Sequence, residues 1–147
     1  MKESTVKVYE NGIKVWYLNG LRHRTDGPAI EYPDGSKAWY LNGQYHRVDG
    51  PAVEYVDESK EWCLNGLLHR EDGPAIDSAD GYKAWHLNGQ LHREDGPAVE
   101  SVGGNKQWWL NGKQYTEEEF LKATQPVKEL SITEIETLLG HKVKVVK

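Results

Sequence analysis

The chain is 147 residues long, with 28% charged residues and a single Phe and Met against six Trp and eight Tyr, which excludes a large aliphatic interior and leaves much of the packing to aromatic rings. Lys and Arg number 18 and Asp and Glu 23, a net charge of −5, which disfavours non-specific adhesion to nucleic acid or anionic membrane, since both need a basic surface. One cysteine (Cys63) excludes an intramolecular disulfide, MKESTVKVYENG holds no apolar signal segment and no run approaches the ~20 apolar residues of a membrane span, so a soluble cytoplasmic protein is expected.

The elements recur along the chain. From Trp16 it reads WYLNGLRHRTDGPAIEY and from Trp39 WYLNGQYHRVDGPAVEY; Trp16, Trp39, Trp62, Trp85 and Trp108 stand 23 residues apart, each followed by one residue and Leu-Asn-Gly. A fixed period of this length marks a repeat architecture whose units bury their apolar faces by stacking on one another. Within KAWYLNGQYHR, Asn42-Gly43 lies between two β-prone runs, and both residues tolerate the positive φ of a type I′ turn, so a two-residue hairpin is predicted. That loop sets the register: Leu41 faces Gln44, Tyr40 faces Tyr45 and Trp39 faces His46. The same pairing sets Trp16 against His23, Trp62 against His69, Trp85 against His92 and Trp108 against Tyr115. One hairpin face therefore repeats Trp, Leu and His and is assigned to packing between units. The other varies, with Tyr17, Tyr40, Cys63, His86 and Trp109 opposite Arg22, Tyr45, Leu68, Leu91 and Gln114, and is assigned to recognition.

Four copies of His-Arg-x-Asp-Gly-Pro-Ala follow the hairpins, where Gly27, Gly50, Gly73 and Gly96 with Pro28, Pro51, Pro74 and Pro97 predict a bend or bulge. A short strand (AIEY, AVEY, AIDS, AVES) and a second turn at Pro33-Asp34-Gly35, Asp80-Gly81 or Gly103-Gly104 return the chain to the next Trp. A continuous antiparallel meander is expected, with two long kinked strands or three short ones per unit, about 10 to 15 Å per unit at ~4.8 Å per strand. In the fifth unit YTEEEFLKA replaces the motif, and Thr116 with Glu119 forms the capping box of a helix. Beyond Gln125-Pro126, Ser131 and Glu134 cap a second helix, with Ile132, Ile135, Leu138 and Leu139 along one stripe and Gly140 at its stop. The flanking VKEL and KVKVV read as strands, so a small β-α-β tail is expected to cap the open sheet edge. The fold class is thus mainly β: an elongated antiparallel β-hairpin repeat array of five 23-residue units over residues 1–115, with a small C-terminal α/β cap over residues 116–147.

The order Trp, Asn-Gly, His, Gly, then Tyr and Asp-Gly at this period resembles a divergent MORN repeat from Val6 to Tyr115. The resemblance implies short β-hairpins stacked into an elongated sheet. Where MORN units carry a Gly-rich stretch after the His, this chain has Arg-x-Asp-Gly-Pro-Ala. The Leu-Asn-Gly and His-Arg-x-Asp-Gly-Pro-Ala wording is also similar to repeats in uncharacterised tailed-bacteriophage proteins, which implies a phage-encoded accessory protein acting in the host cytoplasm.

Each candidate chemical site has a packing alternative. Units about 10 to 15 Å apart cannot bring His23, His46, His69 and His92 to the ~2.0–2.1 Å that one zinc demands, so no metal site is expected. Arg24 with Asp26, and its counterparts Arg47–Asp49, Arg70–Asp72 and Arg93–Asp95, form either an anion-binding row or local ion pairs worth ~0 to 1 kcal/mol each. Cys63 lacks the surroundings that depress a thiol pKa and reads as packing. Glu31, Glu54, Asp77 and Glu100 recur at one position, as on a solvated strand face. With no Gly-rich phosphate loop, G-x-S-x-G or Cys cluster, neither an enzyme nor a cofactor is expected.

The function expected is a non-enzymatic binding module whose aromatic-bearing face, with Tyr17, Tyr40, Tyr45, His86 and Trp109, holds a protein partner; the phage-like wording implies inhibition of a host defence protein. The alternative is a sponge for a small nucleotide-like signal, bound by stacking and phosphate contacts along His23, Arg24, His46, Arg47, His69, Arg70, His92 and Arg93. A structural or membrane-associated scaffold is the third reading, weakened by the acidic charge. A homo-oligomer joined at sheet edges or faces is compatible with all three.

Overall fold

The computed structural model describes residues 3–126, 129–144 and 146. Twelve strands form one antiparallel sheet. It opens with β1 (Ser4–Val8) on β2 (Lys14–Leu18) and then takes two strands from each unit in chain order: Ile30–Glu31 with Lys37–Ala38, Val53–Glu54 with Lys60–Glu61, Ile76–Asp77 with Lys83–Ala84, and Val99–Glu100 with Lys106–Leu110. The expected meander is present, broken into shorter pieces. The three middle Trp strands lose their ladder at the Trp and resume as hairpins, Tyr40–Leu41 on Gln44–Tyr45, Cys63–Leu64 on Leu67–Leu68 and His86–Leu87 on Gln90–Leu91, whereas Lys14–Leu18 and Lys106–Leu110 run on through theirs.

These hairpins are not free fingers. The Gly43 N–H donates to the Arg22 carbonyl at 2.8 Å and the Arg24 N–H to the Tyr40 carbonyl at 3.1 Å, and the same two bonds join every later pair of units. The array is therefore hydrogen-bonded unit to unit both along the sheet and along the hairpins. The turns are as read: in the five Leu-Asn-Gly turns the Asn have φ between 49° and 52° and their Gly between 75° and 81°, the two positive values of a type I′ turn. In the second turns Gly35, Gly81 and Gly104 are left-handed, and in the remaining unit Glu58 takes that place with φ 72°.

The core runs along the array as a column of small and medium side chains. Ala29, Ala52, Ala75 and Ala98, the last residues of the four motifs, are fully buried, alongside Ile30, Val53 and Val99. The two hairpin faces do not divide into packing and recognition as the sequence reading assigned them. In β2, Val15 and Tyr17 share a face because side chains alternate along a strand, and Val15, Ile30, Ala38 and Tyr40 form one buried cluster with Tyr17 packed against it. Tyr40 and Cys63, on the varied face, are 5% and 4% exposed, whereas all five repeat Trp are only half-buried. On the varied face Tyr40 and Cys63 point into the core, Tyr17, His86 and Trp109 are half-buried like the repeat Trp, and Arg22 and Tyr45 are exposed.

The fifth hairpin, Lys106–Leu110 on Lys113–Tyr115, pairs Trp108 with Tyr115 and leads into helix α1 (Glu117–Thr124). The Thr116–Glu119 capping box is present, and α1 packs against both strands of that hairpin, with Phe120 only 3% exposed. Helix α2 (Ile132–Leu139) also has its capping box, Ser131 with Glu134, and ends at Gly140 in the left-handed region with φ 71°, yet none of its residues is buried. Of the expected flanking strands, the described residues 129–130, 141–144 and 146 are not strands, and Val127, Lys128, Val145 and Lys147 lie outside the described residues. Among the described residues the buried cap of the last hairpin is α1. Among the described residues no helix is long and apolar enough to cross a membrane.

Candidate functional site

The His-Arg-x-Asp-Gly-Pro motif builds one network four times. The Arg24, Arg47, Arg70 and Arg93 guanidinium carbons lie 4.1, 4.0, 3.8 and 3.9 Å from the ring centres of Trp16, Trp39, Trp62 and Trp85, within cation–π range. Each Nε donates to the Asp two residues on, from 2.7 Å at Asp95 to 3.0 Å at Asp49. Each Nη1 donates to the carbonyl of the motif's Pro at 3.1 or 3.2 Å. In three units Nη1 also reaches Glu31, Glu54 or Glu100, at 3.3, 2.9 and 3.3 Å. In the remaining unit Asp77 stands in the Glu position, one methylene shorter, and lies 3.8 Å from Lys83 instead.

The motif Gly, which is not left-handed, leaves room for the guanidinium, which a side chain there would push from its place. A Cβ on Gly73 would sit 2.8 Å from the Arg70 Cζ, and one on Gly50 2.9 Å from the Arg47 Cζ. Hydrogen bonding to Arg24, Arg70 and Arg93 holds the carboxyls of Asp26, Asp72 and Asp95 below the usual carboxylate range.

The motif His ties one unit to the next. The Asn42, Asn65, Asn88 and Asn111 N–H groups, each at the next unit's Asn-Gly turn, donate at 3.0 Å to Nδ1 of His23, His46, His69 and His92. An accepting Nδ1 assigns the ring proton to Nε2 in His46, His69 and His92, whereas His23 Nδ1 also lies 3.1 Å from the Asn42 Oδ1. In the last two units Nε2 faces an acid, His69 3.7 Å from Glu71 and His92 3.6 Å from Glu94.

Between consecutive units the repeated Trp, Leu and His face forms a notch, of about 510 Å³ between the first and second units, 700 Å³ between the second and third and 760 Å³ between the third and fourth. Each is floored by a Trp and a Leu, namely Trp39 with Leu41, Trp62 with Leu64 and Trp85 with Leu87, and walled by two successive Arg-x-Asp loops. Adjacent notches share a loop as a common wall, so the three stand in a row from unit to unit, a groove partitioned by those loops.

The residues named from sequence divide accordingly. Tyr40 is buried and cannot be a contact for a partner; its ring lies 4.4 Å from that of Tyr45, and burial, with the Tyr45 hydroxyl next, raises its pKa. Tyr17 is half-buried, its hydroxyl 3.2 Å from that of Tyr9. Trp109 is half-buried with Nε1 donating to Gln107 at 3.0 Å. Of the five, Tyr45 alone is classed as exposed, at 38%. The His and Arg row does lie on the groove, but its Nδ1, Nε and Nη1 atoms are already bonded within the array, so the guanidiniums are structural struts before they are anion ligands. Cys63 is buried, and burial, with the Glu61 carboxylate adding, pushes its thiol up to about 11. Leu41, Leu64 and Leu87 were not singled out as site residues, although their identity in every unit on a face that turns out to be open is the signal that marks them.

His86 is the strained member of the core column. Its Nδ1 is buried without a hydrogen-bond partner, and burial pushes its pKa below the ordinary value of 6.5, the Ala84 backbone opposing. A base whose pKa is lower in the folded state has its full stabilising share above the unfolded pKa and loses it as pH falls from there towards the folded pKa. Stability should therefore decline below about pH 6.5. His86→Leu should raise the melting temperature and flatten that part of its pH profile; an unchanged profile would show that His86 plays no part in it.

Compared with protein-family models, with curated proteins and with solved structures, the chain matches none.

Proposed function

We propose that the protein is a non-enzymatic binding module that seats a protein partner along the Trp–Leu groove. The observation that supports this reading most is that one side-chain set recurs on an open surface, notch after notch, with apolar floors and exposed variable rims. A partially apolar groove with a few fixed polar groups suits recognition. The rim residue between Arg and Asp changes from unit to unit, as Thr25, Val48, Glu71 and Glu94, while the floor stays constant. Binding strength therefore comes from the floor and selectivity from the rim. With the guanidiniums bonded inside the array, a nucleotide phosphate finds its natural partners engaged, which favours a protein over a nucleotide-like signal. The similarity of the repeat wording to tailed-bacteriophage proteins favours a host defence protein in the bacterial cytoplasm as that partner.

The test is capture of a bacterial lysate protein at stoichiometric yield by the wild-type chain and by a rim-reversed variant, Val48→Arg with Glu71→Arg and Glu94→Arg. Val48 is 83% exposed and the Glu71 and Glu94 side chains 85% and 78%, so the fold should tolerate the change. Capture lost at unchanged melting temperature is the expected result. Capture that survives rim reversal and fails in Tyr45→Ser would return recognition to the opposite face.

A further inference from the structure

We infer that the segment seated in the groove is a polyproline-II stretch carrying a basic residue at the end that lies over Glu71 and Glu94. This rests on the groove being the partner-binding surface and adds the partner's backbone conformation and charge.

The first argument is periodicity. Each unit adds two strands to the sheet, so successive notches repeat every ~9.4–9.8 Å, twice the spacing of neighbouring strands. A polyproline-II helix completes a turn in three residues of about 3.1 Å, or about 9.3 Å. Every third residue of such a segment meets an equivalent notch, and the mismatch accumulated from first notch to third stays at or below about 1 Å. An extended strand brings a side chain to the same face every ~6.6–6.8 Å and is out of step by the second notch. Seven residues of an α-helix advance about 10.5 Å and drift by about 2 Å across the groove.

The second argument is chemistry. A proline-rich segment is already ordered before binding and packs its rings on aromatic-lined grooves, here the Trp and Leu floors. Its backbone carbonyls have no internal donors; His69 and His92 Nε2 face Glu71 and Glu94, which leaves His46, whose Nδ1 accepts the Asn65 N–H, as the ring donor on the first notch.

The third argument is the charge gradient. The first notch sets Asp26 and Asp49 against Arg24 and Arg47, a balanced wall. The third sets Glu71, Asp72, Glu94 and Asp95 against only two guanidiniums. An arginine or lysine of the partner is drawn to that end, and the neutral end receives uncharged residues.

The experiment uses the full chain and three synthetic probes: decaproline, decaproline extended by two arginines at one end or the other, and a Gly-Ser peptide of the same length with the same arginines. Tryptophan fluorescence and calorimetry report binding. The arginine-bearing proline peptide should bind tightest, and the Gly-Ser peptide about tenfold or more weaker because a flexible chain must be ordered on binding. Glu71→Gln with Glu94→Gln should remove about threefold to tenfold of the affinity for the arginine peptide and little of that for decaproline. Val48→Glu, a change at an exposed position, should restore part of that loss. Equal binding of the Gly-Ser peptide would overturn the conformational claim and leave a charge-only groove. Should none of the probes bind at millimolar concentration while rim reversal still abolishes capture of the lysate partner, the polyproline-II inference is wrong and the groove reading stands; capture indifferent to rim reversal defeats the groove reading itself.

Discussion

Phe120→Ala should cost about 3 kcal/mol or more, the range for truncating a buried aromatic ring, and should release α1 from the end of the sheet. Phe120 is 3% exposed and is the one buried residue of α1, which lies over both strands of the last hairpin. Losing its anchor uncovers the last hairpin with its edge strand Lys113–Tyr115, so the unfolding change should come with self-association, because an unpaired edge invites pairing with another chain. Removing residues 117–147 should do the same. Removing only residues 129–147 should leave the melting temperature nearly unchanged, because α2 has no buried residue. Light scattering beside thermal unfolding reads both effects. A chain ending at Thr116 that stays monomeric with its melting temperature intact would show α1 to be an appendage.

Trp62→Ala, in the middle of the array, should cost about 3 kcal/mol, the low end for a large aromatic because the ring is only half-buried. The ring is the surface on which Arg70 lies at 3.8 Å. Without it the guanidinium keeps its bonds to Asp72 and Pro74 but loses its face contact. A double-mutant cycle with Arg70→Met should return a coupling of about 0.5–2 kcal/mol, the range for a cation over an aromatic ring. Trp16→Ala, nearer the open end where one neighbouring unit is missing, should cost less. A Trp62→Ala cost below about 1 kcal/mol, or no coupling to Arg70, would mean that the stack is incidental and that the Trp is kept for its partner alone.

Tyr40 and Cys63, assigned to recognition from the sequence, are core residues for a physical reason. Identity from unit to unit was read as packing and variation as recognition. Packing requires only that volumes fill the space, and a core column does so with different pairs, Tyr40 on Tyr45, Cys63 on Leu68 and His86 on Leu91. Directional networks tolerate less. An Arg that must lie on a ring, donate to an Asp two residues on and pass a Gly without a Cβ in the way has few substitutes, so Trp, Arg, Asp and Gly repeat although the ring stays half-exposed. The tail misled for a related reason: KVKVV has strand-like alternation, but a strand needs a neighbour, and the described residues there have none.

The number of units, the type I′ turns, the hairpin register and both capping boxes were determined by the sequence itself, because each depends on residues within a few positions of one another: Asn-Gly at positive φ, a two-residue loop, Thr116 with Glu119, Ser131 with Glu134. What only the tertiary structure decided was how the units meet. Packing of unit on unit buries Tyr40 and Cys63, brings Asn65 of one unit onto His46 of the preceding one, and sets three notches in a row. The Asn65–His46 bond joins residues 19 positions apart, and no pattern local to one unit records a contact made with its neighbour.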